Sequence, residues 1–268
     1  MNIFITILLT ILLQQNQPAS SQQKFTELKR IKKTVNFMTT DRLGNLYLSN
    51  DNFLWRYDNN GDSIGAFNSK RYGEITFVDV TDPYQILVFF KDYNQVLYLD
   101  NYLTVNGDAT DLQSLGYDQV SMVCQSREKG IWIFDQIKQK AYRLNSSLKV
   151  THETVNLAQW FGKRILPNYM IEYNNKLYLN EKESGLYVFD HFATYLNKIP
   201  VIGNEQVQLM DDKILYFQAD SNKLCQYKLK DFRATCEKLD ATNCRDARVE
   251  KNRLFILKPK EAVIFKTN

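Results

Sequence analysis

Histidine is rare in this sequence, and the many acidic residues form no recognisable catalytic or metal-binding motif. Histidine is the usual general base, but the two histidines, His152 and His191, are both expected in outer elements of the fold, where surface or edge roles are favoured. Asp79, Asp82 and Glu172 could offer carboxylate oxygens to a calcium ion, but such a site needs several oxygen ligands converging on one ion. The pattern favours turn and strand-end roles for these acids. It predicts a protein without a catalytic site, a bound metal or a cofactor.

Sequence motifs for nucleophilic catalysis and phosphate binding are missing as well. The chain contains no G-x-S-x-G, no G-x-x-x-x-G-K-[ST] and no G-x-G-x-x-G. Its net charge of +4 is mildly basic and does not by itself indicate a nucleic-acid partner. The basic run at residues 29–33 is predicted to be an outer strand whose lysines protect an exposed sheet edge. No nucleic acid is therefore expected to bind.

The four cysteines are compatible with an oxidising compartment. Cys225 and Cys236 flank a predicted turn at residues 229–232, and symmetric pairing across this turn places them opposite each other on adjacent strands. A disulfide is one interpretation of this pair, and two partly buried free thiols are the other. The sequence does not fix the state of Cys124 and Cys244. Without a C-x-x-C motif, a metal site at these cysteines is not expected.

One segment, residues 157–167, combines large aromatic and cationic side chains. It places Trp160 and Phe161 beside Lys163 and Arg164, and it is longer than the equivalent connections elsewhere in the chain. Aromatic and arginine side chains on loops are typical of binding hot spots. The sequence therefore predicts a partner-binding site at these four residues. The alternative is that Trp160 and Phe161 turn inward and cover the hydrophobic core.

The elements that must position these residues recur along the chain. An apolar hairpin pattern, such as Leu46-Tyr-Leu followed by Leu54-Trp-Arg-Tyr-Asp, occurs six times. The copies end at equivalent residues separated by 42, 45, 45, 38 and 38 positions, namely Tyr57, Leu99, Leu144, Phe189, Tyr227 and Phe265. A period of about 40 residues that contains several short apolar strands is typical of a β-propeller with one blade per repeat.

The sequence therefore predicts an all-β fold, a single six-bladed β-propeller with four-stranded antiparallel blades over residues 22–268. A turn signal, such as Leu43-Gly44-Asn45, precedes the second strand of every copy. The sixth copy leaves no residues for a fourth strand, whereas residues 24–34 precede the first blade. We expect this N-terminal segment to complete the last blade and close the ring, which removes an exposed edge.

The first repeat carries a resemblance to a known family. It reads Asp41-Arg-Leu-Gly-Asn-Leu-Tyr-Leu and then Leu54-Trp-Arg-Tyr-Asp-Asn-Asn-Gly, which resembles the NHL-type propeller repeat D-x-x-G-N-[LI]-Y-[LV] … [LI]-x-[KR]-[YF]-D-x-x-G. At motif level the likeness covers about residues 36–67, and the other copies match mainly through the hairpin and its closing Asp or Asn. Since NHL-type and related folds include both binders and enzymes, the resemblance implies the fold and leaves the activity open.

The N-terminus predicts export. Residues 3–13 form an apolar run too short to span a bilayer but typical of a signal peptide, and Ala19-x-Ser21 suits cleavage before Gln22. We expect a signal peptide at residues 1–21 and a soluble mature chain without a lipid anchor; a short buried element is the alternative. The abundance of Asn, Lys, Tyr, Phe and Ile fits an AT-rich member of the Bacteroidota. The expected location is the periplasm.

Three functions follow as hypotheses. The one we favour is a non-enzymatic exported propeller that binds a protein partner. In size, export and fold the chain is similar to the propeller-like plug of the Bacteroidota type IX secretion translocon, which implies an accessory subunit that occludes the periplasmic side of an outer-membrane barrel. The alternatives are a propeller hydrolase or lyase acting on a lactone or sugar, and a glycan or small-ligand binder that uses Trp160 and Phe161 as stacking platforms.

Overall fold

The computed structural model describes residues 25–267, which form six four-stranded antiparallel sheets arranged as the blades of a propeller. The predicted all-β, six-bladed fold is confirmed. The predicted signal peptide lies outside the described residues. Among residues 25–267, no helix is long and apolar enough to cross a membrane.

Five blades use four consecutive strands, and the sixth combines both ends of the chain. In chain order the elements are β1 (Phe25–Lys32), β2 (Phe37–Thr40), β3 (Leu46–Asn50), β4 (Phe53–Tyr57), β5 (Ser63–Asn68), β6 (Phe77–Asp79), β7 (Ile86–Phe90), β8 (Gln95–Leu99), β9 (Thr110–Asp111), β10 (Val120–Ser126), β11 (Gly130–Asp135), β12 (Lys140–Leu144), β13 (Val150–Glu153), α1 (Leu157–Phe161), β14 (Tyr169–Tyr173), β15 (Lys176–Glu181), β16 (Gly185–Asp190), β17 (Tyr195–Ile199), β18 (Val207–Leu209), β19 (Lys213–Gln218), β20 (Lys223–Lys228), β21 (Arg233–Lys238), β22 (Asp246–Glu250), β23 (Arg253–Lys258) and β24 (Glu261–Thr267). Blades 1 to 5 are β2–β5, β6–β9, β10–β13, β14–β17 and β18–β21, and blade 6 is β22, β23, β24 and β1.

The antiparallel order gives the propeller two different faces. The turns between the second and third strands of each blade and the connections to the next blade lie on one face, which we call the loop face. The turns from the first to the second strand and from the third to the fourth lie on the other, the turn face. The innermost strands, β2, β6, β10, β14, β18 and β22, surround the central channel.

The hydrophobic core lies between neighbouring blades. The second strands β7 and β11 are buried along their whole length, because each face of the sheet packs against another blade. Outer strands have one blade edge in solvent, and every residue of β21 is exposed. This gradient explains why the second strands read as continuous apolar runs whereas the outer strands read as polar.

The N-terminal strand closes the ring, as the sequence predicted. β1 pairs antiparallel with β24 from Phe25 opposite Thr267 to Lys32 opposite Glu261. Arg30 forms an ion pair with Glu261 across this seam at 2.5 Å, and the Lys33 ammonium lies 4.0 Å from the ring centroid of Trp55 in blade 1. The first and last described segments of the chain therefore hold blade 6 together.

The disulfide candidate pair also lies where the turn at residues 229–232 predicted. Cys225 on β20 is directly opposite Cys236 on β21, and the structure contains a disulfide between them. Cys124 and Cys244 are buried free thiols. Because the bridge closes a loop of 11 residues, restricting the unfolded chain contributes about 2–3 kcal/mol of stability.

The closing Asp or Asn of the repeat has a local structural cause. In four blades this residue follows the third strand, and its Oδ1 accepts hydrogen bonds from the backbone N–H groups two and four positions later, at 2.8–3.0 Å. The four residues are Asp58, Asp100, Asn145 and Asp190. Each turn continues through a left-handed residue, Gly61 in the first blade and Ala193 (φ 69°) in the fourth. The side chain thus makes the turn, and glycine is dispensable.

We expect Asp190→Ala to lower the free energy of unfolding by about 1–2 kcal/mol, because two backbone N–H groups lose their acceptor. Asp190→Asn should change it by less than about 0.5 kcal/mol, since Asn145 makes the same turn in blade 3. Urea unfolding followed by circular dichroism measures both variants. Equal destabilisation by Ala and Asn would show that the carboxylate charge, and not the turn geometry, matters at this position.

Candidate functional site

The predicted binding segment forms a structured connection between blades 3 and 4 on the loop face. It begins with Asn156, whose Oδ1 accepts a hydrogen bond from the Gln159 N–H at 2.9 Å and caps α1. The helix ends at Gly162, which adopts the left-handed conformation (φ 69°). A capped turn of helix therefore presents the aromatic residues.

This connection is fastened to the turn between the second and third strands of blade 3 by the buried side chain of Gln139. Its Oε1 accepts the Ile165 N–H at 2.7 Å, and its Nε2 donates to the Ile165 carbonyl at 3.2 Å. The Leu157 N–H donates to the Gln139 carbonyl at 2.8 Å. Because these bonds fix both ends of the segment, it is a rigid part of the loop face.

The four predicted residues divide into two groups. Trp160 points outward, with 60% of its surface exposed. Phe161 turns inward and packs against the rings of Tyr187 and Tyr195, with centroid distances of 4.9 and 5.1 Å. The two alternatives of the sequence analysis thus apply to different residues, and Phe161 supports the loop while Trp160 is available for contact.

The two cations connect the segment to neighbouring turns. Lys163 Nζ lies 2.7 Å from Glu181 Oε2 in blade 4, and this hydrogen bond raises the pKa of the lysine. Arg164 donates to the Gln136 carbonyl in blade 3 at 2.7 Å, which leaves its positive charge without an acidic partner among the described residues. The segment at residues 157–167 and the neighbouring turns of blades 3 and 4 therefore form one surface, which carries positive charge close to Trp160 in the chain.

Exposed aliphatic residues on the same face were missed by the sequence reasoning. Ile137 lies in the turn of blade 3, Leu166 follows the helical segment, and Ile202 lies in the connection from blade 4 to blade 5, with exposed fractions of 58%, 63% and 44%. The loops are joined, since Gly203 N donates to the Lys182 carbonyl and Leu166 N donates to Glu181 Oε1. In the sequence, the signal that could have identified these residues is an isoleucine or leucine within an otherwise polar turn.

The acidic residues near the channel connect the innermost strands of different blades. Asp79 accepts hydrogen bonds from Thr81 N and from Gln125 N of blade 3, at 2.8 and 2.7 Å. Glu172 accepts from Ser126 Oγ and Trp132 Nε1, also of blade 3. Burial raises the pKa of Asp79, although these N–H donors oppose the shift. The strand role expected for both acids agrees with these contacts.

Asp82 and the histidines lie away from this network. Asp82 accepts the Tyr84 N–H at 3.0 Å in the turn before β7. His152 is on the outer strand β13, and His191 lies in the turn after β16. Both imidazoles contact the ring of Phe192 at the periphery of the propeller. In residues 25–267, no group of three or more His, Cys, Asp or Glu residues is arranged to hold a metal ion.

Three aromatic rings divide the central channel. Phe37, Phe77 and Tyr169 are the first residues of three innermost strands, and Phe77 packs edge-on against the other two at centroid distances of 6.1 and 5.5 Å. A cavity of 540 Å³ opens on the loop-face side of these rings, and one of 160 Å³ lies on the turn-face side. The rings therefore separate two chambers with different linings.

Asp246 is the most perturbed acid of the loop-face cavity. It accepts hydrogen bonds from Gln206 Nε2 and, at 2.8 Å, from Ala247 N. Burial raises the pKa of Asp246 to about 6, even though the nearby positive charge of Arg248 and the hydrogen bond from Gln206 favour the carboxylate. The site therefore makes the charged carboxylate less favourable than it is in water, and the proton is lost near pH 6 instead of near pH 4.

We expect the free energy of unfolding of the wild-type protein to fall between pH 4 and pH 7 relative to that of Asp246→Asn. The folded protein binds a proton at Asp246 more tightly than the unfolded chain, so stability decreases as pH rises from the unfolded toward the folded pKa. The difference in the free energy of unfolding between the two proteins should change by about 1–3 kcal/mol over this range. Below about pH 4 the difference should no longer depend on pH, because Asp246 is then protonated in both the folded and the unfolded state. Denaturant titrations over this pH range measure it. Asp240→Asn, an exposed acid in the same connection, is the control, and parallel pH profiles for wild type and Asp246→Asn would contradict the expectation.

Comparison with known proteins places the fold but not a family. No family model matches the chain, and no curated protein matches it. Among solved structures, the WD40 domain of Neurospora crassa Pan2 is similar with a TM-score of 0.58 and 11% identity, over 91% of this chain and 95% of that one. A streptogramin B lyase gives 0.62 and 11% over 91% and 97%. A luciferin-regenerating enzyme gives 0.60 and 11% over 89% and 92%. At such identities the likeness shows the fold alone: the chain is a six-bladed β-propeller.

Proposed function

We propose that this chain is a non-enzymatic exported propeller that binds a protein partner through its loop face. The observation that carries the proposal is the combination of Trp160, Leu166 and Ile137 with the cation of Arg164 on loops that are hydrogen-bonded to one another. A WD40 interaction domain is among the structural neighbours, which agrees with this class of function.

The energetic argument rests on preorganisation. Binding costs free energy when loops must be ordered, and this loop is already held by a helix cap, by Gln139 and by the ion pair of Lys163 with Glu181. Tryptophan and arginine are among the residue types enriched at interface hot spots. A partner that covers Trp160 and Leu166 would thus gain apolar contact at a small entropic cost.

The non-enzymatic part of the proposal is supported by where the reactive residue types lie. The histidines are on outer elements, and the carboxylates of Asp79 and Glu172 already accept hydrogen bonds from a neighbouring blade. Their protonation would weaken the contacts between blades, so a role in proton transfer would compete with the fold.

The finer role that we propose is an accessory or plug subunit on the periplasmic side of an outer-membrane protein-secretion channel. Occlusion requires a rigid body without an open passage, and here Phe37, Phe77 and Tyr169 stand between the two chambers of the central channel. Shape would perform this task, and no reactive group is needed.

A native pulldown from gently solubilised envelope, combined with crosslinking mass spectrometry, tests the proposal. We expect recovery of a large outer-membrane barrel in stoichiometric amount, crosslinked through loop-face lysines such as Lys163. The double variant Trp160→Ala with Leu166→Ala should weaken the complex about tenfold or more, because it removes the exposed apolar anchor.

Phe232→Ala is the matched control, since Phe232 is an exposed aromatic (75%) on the opposite, turn face. Its complex should resemble that of the wild type. Recovery of the propeller alone would refute the secretion role, and loss of the partner with Phe232→Ala but not with the loop-face variant would assign binding to the other face.

A further inference from the structure

Arg248 is a buried cation that no carboxylate of the described residues contacts directly, although Asp246 and Glu250 are near enough to interact with its charge. It lies on the innermost strand β22 with 6% of its surface exposed and lines the 160 Å³ cavity on the turn-face side of the channel. Nε donates to Thr40 Oγ1 at 3.2 Å, and one terminal nitrogen donates to Gln206 Oε1 at 2.9 Å. Both acceptors are neutral, and among the described side chains no carboxylate forms an ion pair with this guanidinium.

The unused donors of Arg248 are the significant feature. A guanidinium has five N–H groups, and the two bonds to Thr40 and Gln206 leave three without a protein acceptor in the described part of the chain. No Arg248 nitrogen belongs to the fully buried polar atoms that lack a partner among the described residues, so the three remaining donors are open to the cavity. By contrast, the buried Arg56 on the third strand of blade 1 has the carboxylate of Asp41 at 3.9 Å.

A second buried polar group faces the same cavity. Tyr169 is 5% exposed and lines the chambers on both sides of the aromatic rings, yet its hydroxyl has no hydrogen-bond partner within residues 25–267. Arg248 is near enough to act electrostatically on the phenol. An arginine and a tyrosine hydroxyl with free donors, facing one cavity, form a recognition site for oxygen atoms that carry negative charge.

We propose that the turn-face cavity binds a small oxyanion, a carboxylate or a phosphate, held by the guanidinium of Arg248 and the hydroxyl of Tyr169. An apolar cavity of about 150 Å³ accommodates a molecule the size of benzene, so a group of this size fits the 160 Å³ present here. The site is on the face opposite Trp160, and it does not depend on the proposed protein partner.

The acids that line the cavity are compatible with this ligand for different reasons. Asp41 accepts hydrogen bonds from Asn45, Tyr47 and Leu43, and Asp79 accepts those of Thr81 and Gln125, so their oxygens serve the fold. Glu250 is half-buried, and burial raises its carboxyl pKa against the opposing effects of Arg248 and Lys251.

Protonation of Glu250 should couple to binding. Burial raises the pKa of Glu250, which faces the cavity together with Asp41, Asp79, Arg42 and Arg248. A bound anion would repel the charged form of Glu250, so binding takes up a proton. The affinity for the oxyanion should therefore increase as the pH is lowered from 7.5 to 5.5.

Isothermal titration calorimetry of the full mature chain with acetate and, separately, with phosphate tests the proposal, at an ionic strength held constant with sodium chloride. We expect saturable binding of at least one of them with a Kd of about 1 mM or tighter, and the comparison decides between the two anions. Neutral acetamide, which has nearly the shape of acetate, should not bind measurably.

Two variants locate the site. Arg248→Met should weaken binding tenfold or more, and Tyr169→Phe, which removes one hydroxyl and keeps the ring packing against Phe77, should weaken it about three- to tenfold. Arg245→Met, which removes an exposed arginine at the loop-face cavity, is the control and should bind as the wild type does.

The proposal is overturned if neither anion binds, if acetamide binds as well as acetate, or if Tyr169→Phe and Arg248→Met both retain wild-type affinity. Because Tyr169→Phe conserves the volume of the core, its result stands even if Arg248→Met does not fold.

Discussion

The structure depends on the burial of each blade between two neighbours. Strands such as β7 and β11 are apolar on both faces, so a blade at the end of an open row would expose one of them to water. Closing the ring through β1 and β24 gives every blade two neighbours, with Phe25 opposite Thr267 at the seam. The ion pair of Arg30 with Glu261 and the contact of Lys33 with Trp55 lie at this joint and fasten blade 6 to itself and to blade 1. The fold is thus a consequence of two-sided hydrophobic packing more than of any single blade's stability.

The innermost strands of neighbouring blades belong to different sheets, so no backbone hydrogen-bond ladder joins them. Polar side chains form the hydrogen bonds between these strands instead. Asp79 accepts the backbone N–H of Gln125, and Gln208 Oε1 accepts that of Val249 at 2.9 Å, each from the next blade. From the sequence alone, such acids and amides could be taken for catalytic residues. In the structure, their oxygens accept hydrogen bonds that hold neighbouring blades in register. Against this background, Arg248 and Tyr169 differ because part of their capacity is unused and faces a cavity.

The two faces of the disc have different physical characters. On the loop face, a capped helical turn and a set of buried hydrogen bonds present Trp160 and Leu166 to solvent, which suits contact with a macromolecule. On the turn face, the tight Asx turns at Asp58, Asp100, Asn145 and Asp190 are short and self-contained, and the cavity of 160 Å³ beside Arg248 suits a small molecule. The aromatic rings of Phe37, Phe77 and Tyr169 keep these two environments apart.

The sequence by itself determined the number of blades, the ring closure and the cross-strand position of Cys225 and Cys236. The number of blades follows from the repeat of about 40 residues, and the ring closure from a strand that the last copy lacks and residues 24–34 supply. The position of the two cysteines follows from pairing across a short turn. It also located the segment around Trp160 and the periphery of His152 and His191. Only the tertiary structure decided that Phe161 turns inward while Trp160 does not, since this depends on Tyr187 and Tyr195 of the next blade. The same holds for Arg248, whose neighbours Thr40 and Gln206 are 208 and 42 positions away in the chain. The contacts of one side chain with residues of another blade depend on packing between distant segments, and a pattern of neighbouring residues does not identify them.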